Sequence, residues 1–224
     1  MTTPIAIFGA GGFAREVLQI VLDINAQSPL TPIWEPVGFI VDAAFVDVEP
    51  VHGLPILGTF EWLVAHPSIH IVIAVGASAA RRRIAASIAS ACVNSFATLI
   101  HPRAWVGRRV SIGQGSIICA GSQVTTDINI GQHVHVNIGS TIGHDAFLGD
   151  FVTLNPGVNV SGNVSLGVGV EVGTGSILIP HTSAGNWSIV GAGSVVTKPL
   201  SANSTAVGAP ARVIKTREPG WQEV

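Results

Sequence analysis

The sequence has 224 residues, of which 47% are hydrophobic and 11% charged, and a formal net charge of −2. This balance excludes a disordered chain, which needs low hydrophobicity and high charge, and a basic surface for nucleic acid. Cys92 and Cys119 are the only cysteines, too few for a disulfide scaffold or a zinc cluster, and no apolar run approaches the roughly 18 residues of a membrane span. The opening residues carry no basic stretch ahead of an apolar one, so no secretory signal is read, and a soluble cytoplasmic protein is expected. An apolar run, Ile5–Gly9, reads as a strand that ends in Gly9-Ala10-Gly11-Gly12, and a helical pattern follows from about Ala14 to Ile24. Ser28–Pro36 reads as a loop, and Val37–Val41 as a second strand ending at Asp42. Ile69–Gly76 reads as a third strand, residues 79–91 as a helix and Ser95–Ile100 as a fourth strand. Strands alternating with helices predict an α/β, Rossmann-like domain with a small parallel sheet over residues 1–100. His101-Pro102 marks its boundary.

From Val106 to Val196, sixteen aliphatic residues recur every six positions without interruption. The residue after each of these leaders is Gly in nine of sixteen cases, and Asn at 137 and 155. The fourth residue after each leader, from Val110 to Ser194, is always Ser, Thr, Ala, Val or Ile. Each hexad predicts a short strand and a turn, with the leader pointing inward and the small residue letting the corner close. Gly or Asn behind the leader is expected to supply the positive φ of the corner. Three hexads then make one triangular coil, residues 18 apart stack, and neighbouring coils bury a common core. Residues 101–224 are thus expected to form a left-handed parallel β-helix, ending after Thr197 in a short helix and tail.

Gly9-Ala10-Gly11-Gly12-Phe13-Ala14 fits a Gly-x-Gly-x-x-Ala turn that lets a phosphate approach a helix N-terminus. Asp42 lies 33 residues after Gly9, too far for the acid that ordinarily follows roughly 20 residues on in a nicotinamide site. A nucleotide-sugar diphosphate near Gly11 and Gly12 fits better, with Asp42 reaching ribose or base and Arg81 facing the pocket.

The order of elements, a Gly-rich turn, Ile100-His101-Pro102, uninterrupted hexads and Val207-Gly208-Ala209-Pro210-Ala211, resembles the sugar acyltransferases of the sialic acid O-acetyltransferase and bacillosamine N-acetyltransferase type. The resemblance covers nearly the whole chain. It implies a sugar-nucleotide-binding N-terminal domain, a β-helix that binds acetyl-coenzyme A between subunits of a homotrimer, and a histidine general base, in surface-polysaccharide biosynthesis. The family's histidine neighbourhood resembles Asn137-Ile138-Gly139-Ser140-Thr141-Ile142-Gly143-His144-Asp145, so His144, Asp145 and Asn137 carry the catalytic expectation. For the coenzyme the resemblance points to Gly162, Gly173, Thr174, Ala192 and Pro210, and to Thr153, which stands where some members have a second histidine. Phe13 stands where the family often has histidine.

Two residues behind its leader Ile142, His144 faces away from the core, and Gly162, one coil on, leaves room and a backbone N–H beside it. A carboxylate neighbour orients an imidazole and raises its basicity. Asn137 and Asn155 read equally well as corner residues or an internal ladder. Cys119 shares their column and reads as structural, so no acyl-enzyme is implied. His133, His135, His144 and His181 fall at four different positions of the 18-residue repeat, which argues against a metal site of the γ-carbonic anhydrase type. That zinc reading and a non-catalytic sugar-nucleotide-binding protein remain the alternatives.

Overall fold

The computed structural model describes residues 2–46, 49–91 and 95–223; Cys92 lies outside them. Two compact units divide the chain: residues 1–76 with 80–102, and residues 77–79 with 103–224.

In the first unit, strands β1 (Thr3–Phe8), β2 (Trp34–Ile40), β3 (Ile56–Gly58) and β4 (His70–Ile73) form one parallel sheet in the order β3-β2-β1-β4. Helices α1 (Gly12–Ala26), α2 (Phe60–Ala65) and α3 (Ser78–Ala91) connect them. Ile5, Ala6 and Ile7 are fully buried, as a central parallel strand requires, and Val17 and Val21 of α1 are buried one turn apart. β2 begins at Trp34, inside the stretch expected to be loop. Pro36 sits where the β1–β2 register shifts, and such an irregularity accommodates a residue that cannot donate to the ladder. β3 and α2 were not expected from the sequence; three and six residues are too few to show a period. Ser95–Ile100 is not one strand. Phe96 makes a single parallel bridge to Ile71, and only Leu99–Ile100 is extended further on.

In the second unit, two- and three-residue strands stack as three parallel sheets, and each strand pairs with the one 18 residues on: Ile142 with Val160, Val160 with Leu178, Leu178 with Val196. Leaders from Ile118 to Val196 form one buried core, and the small residues four behind them, from Ser116 to Ser194, are buried too. The fold is the left-handed β-helix that the hexads predict.

The corners correct one expectation. Positive φ falls three residues behind each leader, from Arg109 to Gly193, and not one behind. Seven of these fifteen corner residues are Gly and eight are not, including Asp127, Asp145 and Asn163. Glycine directly behind the leader serves packing instead: a Cβ on Gly173 would come within 2.5 Å of the Ala192 backbone nitrogen on the next coil. Asn137 and Asn155 stand at that same position without positive φ, and their side chains donate to the Leu154 and Val172 carbonyls at 2.8 and 2.9 Å, an internal ladder. The expected C-terminal helix is an antiparallel hairpin, Ser204–Val207 with Arg212–Thr216, followed by a short 3-10 turn at Trp221–Glu223.

Candidate active site

One candidate site lies in the first unit, at the C-terminal ends of its strands. Parallel α/β sheets bind ligands there, where chain connections leave in opposite directions. β1 lies between β2 and β4, and the cavity at its end, about 360 Å³, is lined by Phe8, Gly9, Ala10, Gly11, Val41, Asp42, Phe45 and Val75. Gly9 is the glycine that backbone geometry demands, with φ +107° and a notional Cβ 3.1 Å from the Ala74 carbonyl oxygen. Gly11 has open space beside it and precedes α1 without a side-chain cap, so the helix N-terminus is presented to the cavity. Asp42 makes no side-chain cap on the turn after β2 and is exposed at the rim. Gly12 opens α1 but does not line the cavity. Arg81 does not face it either. The residue is fully buried and donates to the Val75 and Gly76 carbonyls at 2.8 and 2.9 Å, clamping the chain that leaves β4. Phe8 and Phe45, the aromatic walls, were not expected; nothing in their spacing marks them.

The second candidate site is a corner of the β-helix. His144 Nδ1 lies 2.7 Å from Asp145 Oδ2, with both side chains more than half exposed. Asp145 holds the positive-φ position at φ +59°. If Nδ1–H donates to the carboxylate, the lone pair is on Nε2, the tautomer a general base needs. A Cβ on Gly162 would come 2.7 Å from Nε2, so the absent side chain lets the ring lean over the next coil. The Gly162 N–H has no acceptor among the described residues and stands free beside the ring. One coil earlier, Arg109 grips Asp127 through two contacts, Nε to Oδ1 at 2.6 Å and Nη2 to Oδ2 at 2.7 Å. This hydrogen bonding holds the Asp127 carboxyl below its usual range, Thr126 and the nearby His144 adding to the effect. Asn137 is nearly buried, its amide engaged in the ladder.

The residues expected at the coenzyme do not all meet in one chain. Gly162 adjoins His144, whereas Thr174 and Ala192 stack at a different corner, beside Gly175 and Gly193. Pro210 lies exposed in the connection of the C-terminal hairpin. Thr153 is a correction: it is buried, with its hydroxyl 3.0 Å from Ser78 Oγ, and presents nothing to an open coenzyme surface. His133 is buried and stacks on Phe151 at 5.2 Å, and among the described residues no three His, Cys, Asp or Glu side chains converge as a metal site.

Residues 4–88 match the family model of the PglD N-terminal domain. No curated protein sequence matches the chain. Among solved structures, the acetyltransferase domain of PglB from Neisseria gonorrhoeae superposes with a TM-score of 0.85 at 30% identity, over 95% of this chain and 100% of that one. A histidine-to-asparagine variant of perosamine N-acetyltransferase from Caulobacter crescentus, in complex with CoA and GDP-perosamine, gives a TM-score of 0.86 at 26% identity, over 95% and 97%. WeeI from Acinetobacter baumannii gives 0.83 at 29%, over 95% and 100%. The chain belongs to the PglD-type sugar acetyltransferases of the hexapeptide-repeat superfamily. It is an acetyl-coenzyme A-dependent enzyme of that class. No helix among the described residues is long and apolar enough to cross a membrane.

Proposed function

We propose that this enzyme transfers the acetyl group of acetyl-coenzyme A to an amine of a nucleotide-linked sugar, with His144 as general base. The observation that carries the assignment is the cluster at one corner: Nδ1 fixed by Asp145, Nε2 over Gly162, and a free N–H at Gly162. The sugar amine attacks the thioester carbonyl, and the C–N bond forms as the carbonyl oxygen takes up negative charge. The Gly162 N–H donates to that oxygen. Nε2 takes the amine proton, Asp145 stabilises the imidazolium, and the C–S bond breaks to release thiolate. The proton passes to that sulfur, so coenzyme A leaves as the thiol and no acyl-enzyme forms. Neighbours crystallised with CoA and GDP-perosamine support an amine acceptor over a hydroxyl.

The nucleotide end of the acceptor belongs to the cavity of the first unit. Its diphosphate faces the α1 N-terminus at Gly11, Phe8 and Phe45 flank an apolar slot for the base, and Asp42 accepts from ribose or base. The donor extends from His144 over Gly162 toward the C-terminal coils, since Nε2 leans that way and the preceding coil presents the Asp127 carboxylate. Pro180 and then Lys198 follow at the same corner. Three coil steps of about 4.8 Å bring Lys198 within reach of the diphosphate of an extended pantetheine arm, which is roughly 15 Å long.

The separation of Thr174 and Ala192 from His144 within one chain supports a homotrimer, in which neighbouring copies bring the two corners together. We place the enzyme in the cytoplasm, where acetyl-coenzyme A is available, acting in surface-polysaccharide biosynthesis. The test is thiol release from acetyl-coenzyme A with a panel of nucleotide-linked amino sugars. His144→Ala is expected to lower kcat by roughly 10²–10⁴ on the accepted sugar, with Asp145→Asn losing less. Near wild-type kcat in His144→Ala overturns the base assignment, and sedimentation as a stable monomer at micromolar concentration overturns the shared site.

A further inference from the structure

We propose that the Arg109–Asp127 pair, one coil before His144, is a positioning device for the base: Asp127 presents a second carboxylate to the imidazole, and Arg109 limits how strongly the ring feels it. The inference rests on His144 being the base. Arg109, Asp127 and Asp145 occupy one corner on three successive coils, each in the left-handed conformation at φ 57°, 59° and 59°. The Asp145 N–H donates to the Thr126 carbonyl at 3.2 Å, and the Thr126 hydroxyl donates to Asp127 Oδ2 at 3.1 Å, so the two carboxylates hang from one local network. The backbone does not require these side chains. Another corner carries glycine at the same position in every coil, at 121, 139, 157, 175 and 193. Non-glycine residues are less stable in this conformation, Asp less so than most. An exposed ion pair contributes little stability to offset that.

The electrostatic links cross between the two pairs. The nearby His144 adds to what holds the Asp127 carboxyl low, and Asp145 adds to what raises Arg109, in each case behind the Arg109–Asp127 hydrogen bond itself. The charged or titratable groups around the ring are Asp145 beside it, Asp127, Arg109 and Arg108 on the two preceding coils, and His181 and Lys198 two and three steps onward. On the next coil Gly162 and Asn163 carry no charge. An imidazolium forms as the amine loses its proton, with Asp145 against the ring and Asp127 one coil away at the same corner.

Two substitutions that break the same ion pair separate this role from a structural one. Asp127→Asn removes an anion, and the midpoint of the kcat/KM–pH profile is expected to fall by about half a pH unit. Arg109→Gln removes a cation and leaves Asp127 unneutralised, and the midpoint is expected to rise by a similar amount. The double variant is expected to return toward wild type. Thermal unfolding of each variant verifies the fold, and NMR titration of the His144 ring reads the coupling directly. Shifts of the same sign, or none, in the ring titration overturn the proposal. Opposite ring shifts with an unmoved activity profile uphold the coupling and overturn His144 as the base instead.

Discussion

The imidazole of His144 occupies the space that a side chain on Gly162 would need: a Cβ there would lie 2.7 Å from Nε2 and 2.8 Å from Cε1. Gly162 lacks positive φ, so its backbone accepts alanine, and the atoms displaced belong to an exposed ring and not to a coil. Gly162→Ala is expected to leave thermal stability nearly unchanged while kcat falls by roughly 10², the effect of moving a reacting group by about an ångström. Unchanged kcat with a folded variant would show that Nε2 does not work from this position.

The two kinds of glycine in the β-helix are expected to respond oppositely to asparagine. Gly173→Ala forces a methyl against the Ala192 backbone and is expected to destabilise by roughly 1–3 kcal/mol, with Asn no better. Gly175 has φ +68° and open space. Gly175→Ala is expected to destabilise by roughly 1–2 kcal/mol and Gly175→Asn by less, because Asn tolerates the left-handed region. Denaturant unfolding of the four variants checks this.

At the nucleotide end, Gly11→Val and Asp42→Ala are expected to weaken binding of the sugar substrate at least tenfold and to leave acetyl-coenzyme A binding unchanged. Calorimetry with each ligand distinguishes them; equal losses for both ligands would show that the first unit is not a separate substrate site.

The depressed Asp127 carboxyl sets a pH dependence of stability. Its folded value lies below the ordinary 3.8, first through the Arg109 hydrogen bond, so its contribution is present above that value and is lost as pH falls through the folded value. The Tm difference between wild type and Asp127→Asn is therefore expected to be constant near neutrality and to vanish in acid. A difference that grows on acidification would mean the pair is broken in solution.

The β-helix and the corner that carries His144 were legible in the sequence because the hexads are periodic. Aliphatic leaders and small residues spaced by six reveal the coils, and His144 can be placed outside the core by counting from Ile142. The same counting misassigned the positive-φ position, because glycine recurs both one and three residues behind the leader, for coil packing at the first and for handedness at the second. The N-terminal cavity was legible at Gly11 and Asp42, which punctuate strand ends, whereas Phe8 and Phe45 look like any apolar residue until the sheet order brings them together. Arg81 read as a pocket residue because sequence shows a charge near a strand end but not the two carbonyls that hold it. The C-terminal hairpin carries no period, and the partner of the buried Thr153 hydroxyl, Ser78, lies 75 positions away.

Every coil repeats one backbone conformation, whatever side chain stands at its corner. Distances along the solenoid therefore come in whole steps of about 4.8 Å. Inserting or removing one 18-residue coil beyond Gly162 would move Lys198 by one step relative to His144 and leave His144, Asp145 and Gly162 untouched. On the proposed donor path, the number of rungs would set the length of donor that fits, separately from the residues proposed for the chemistry.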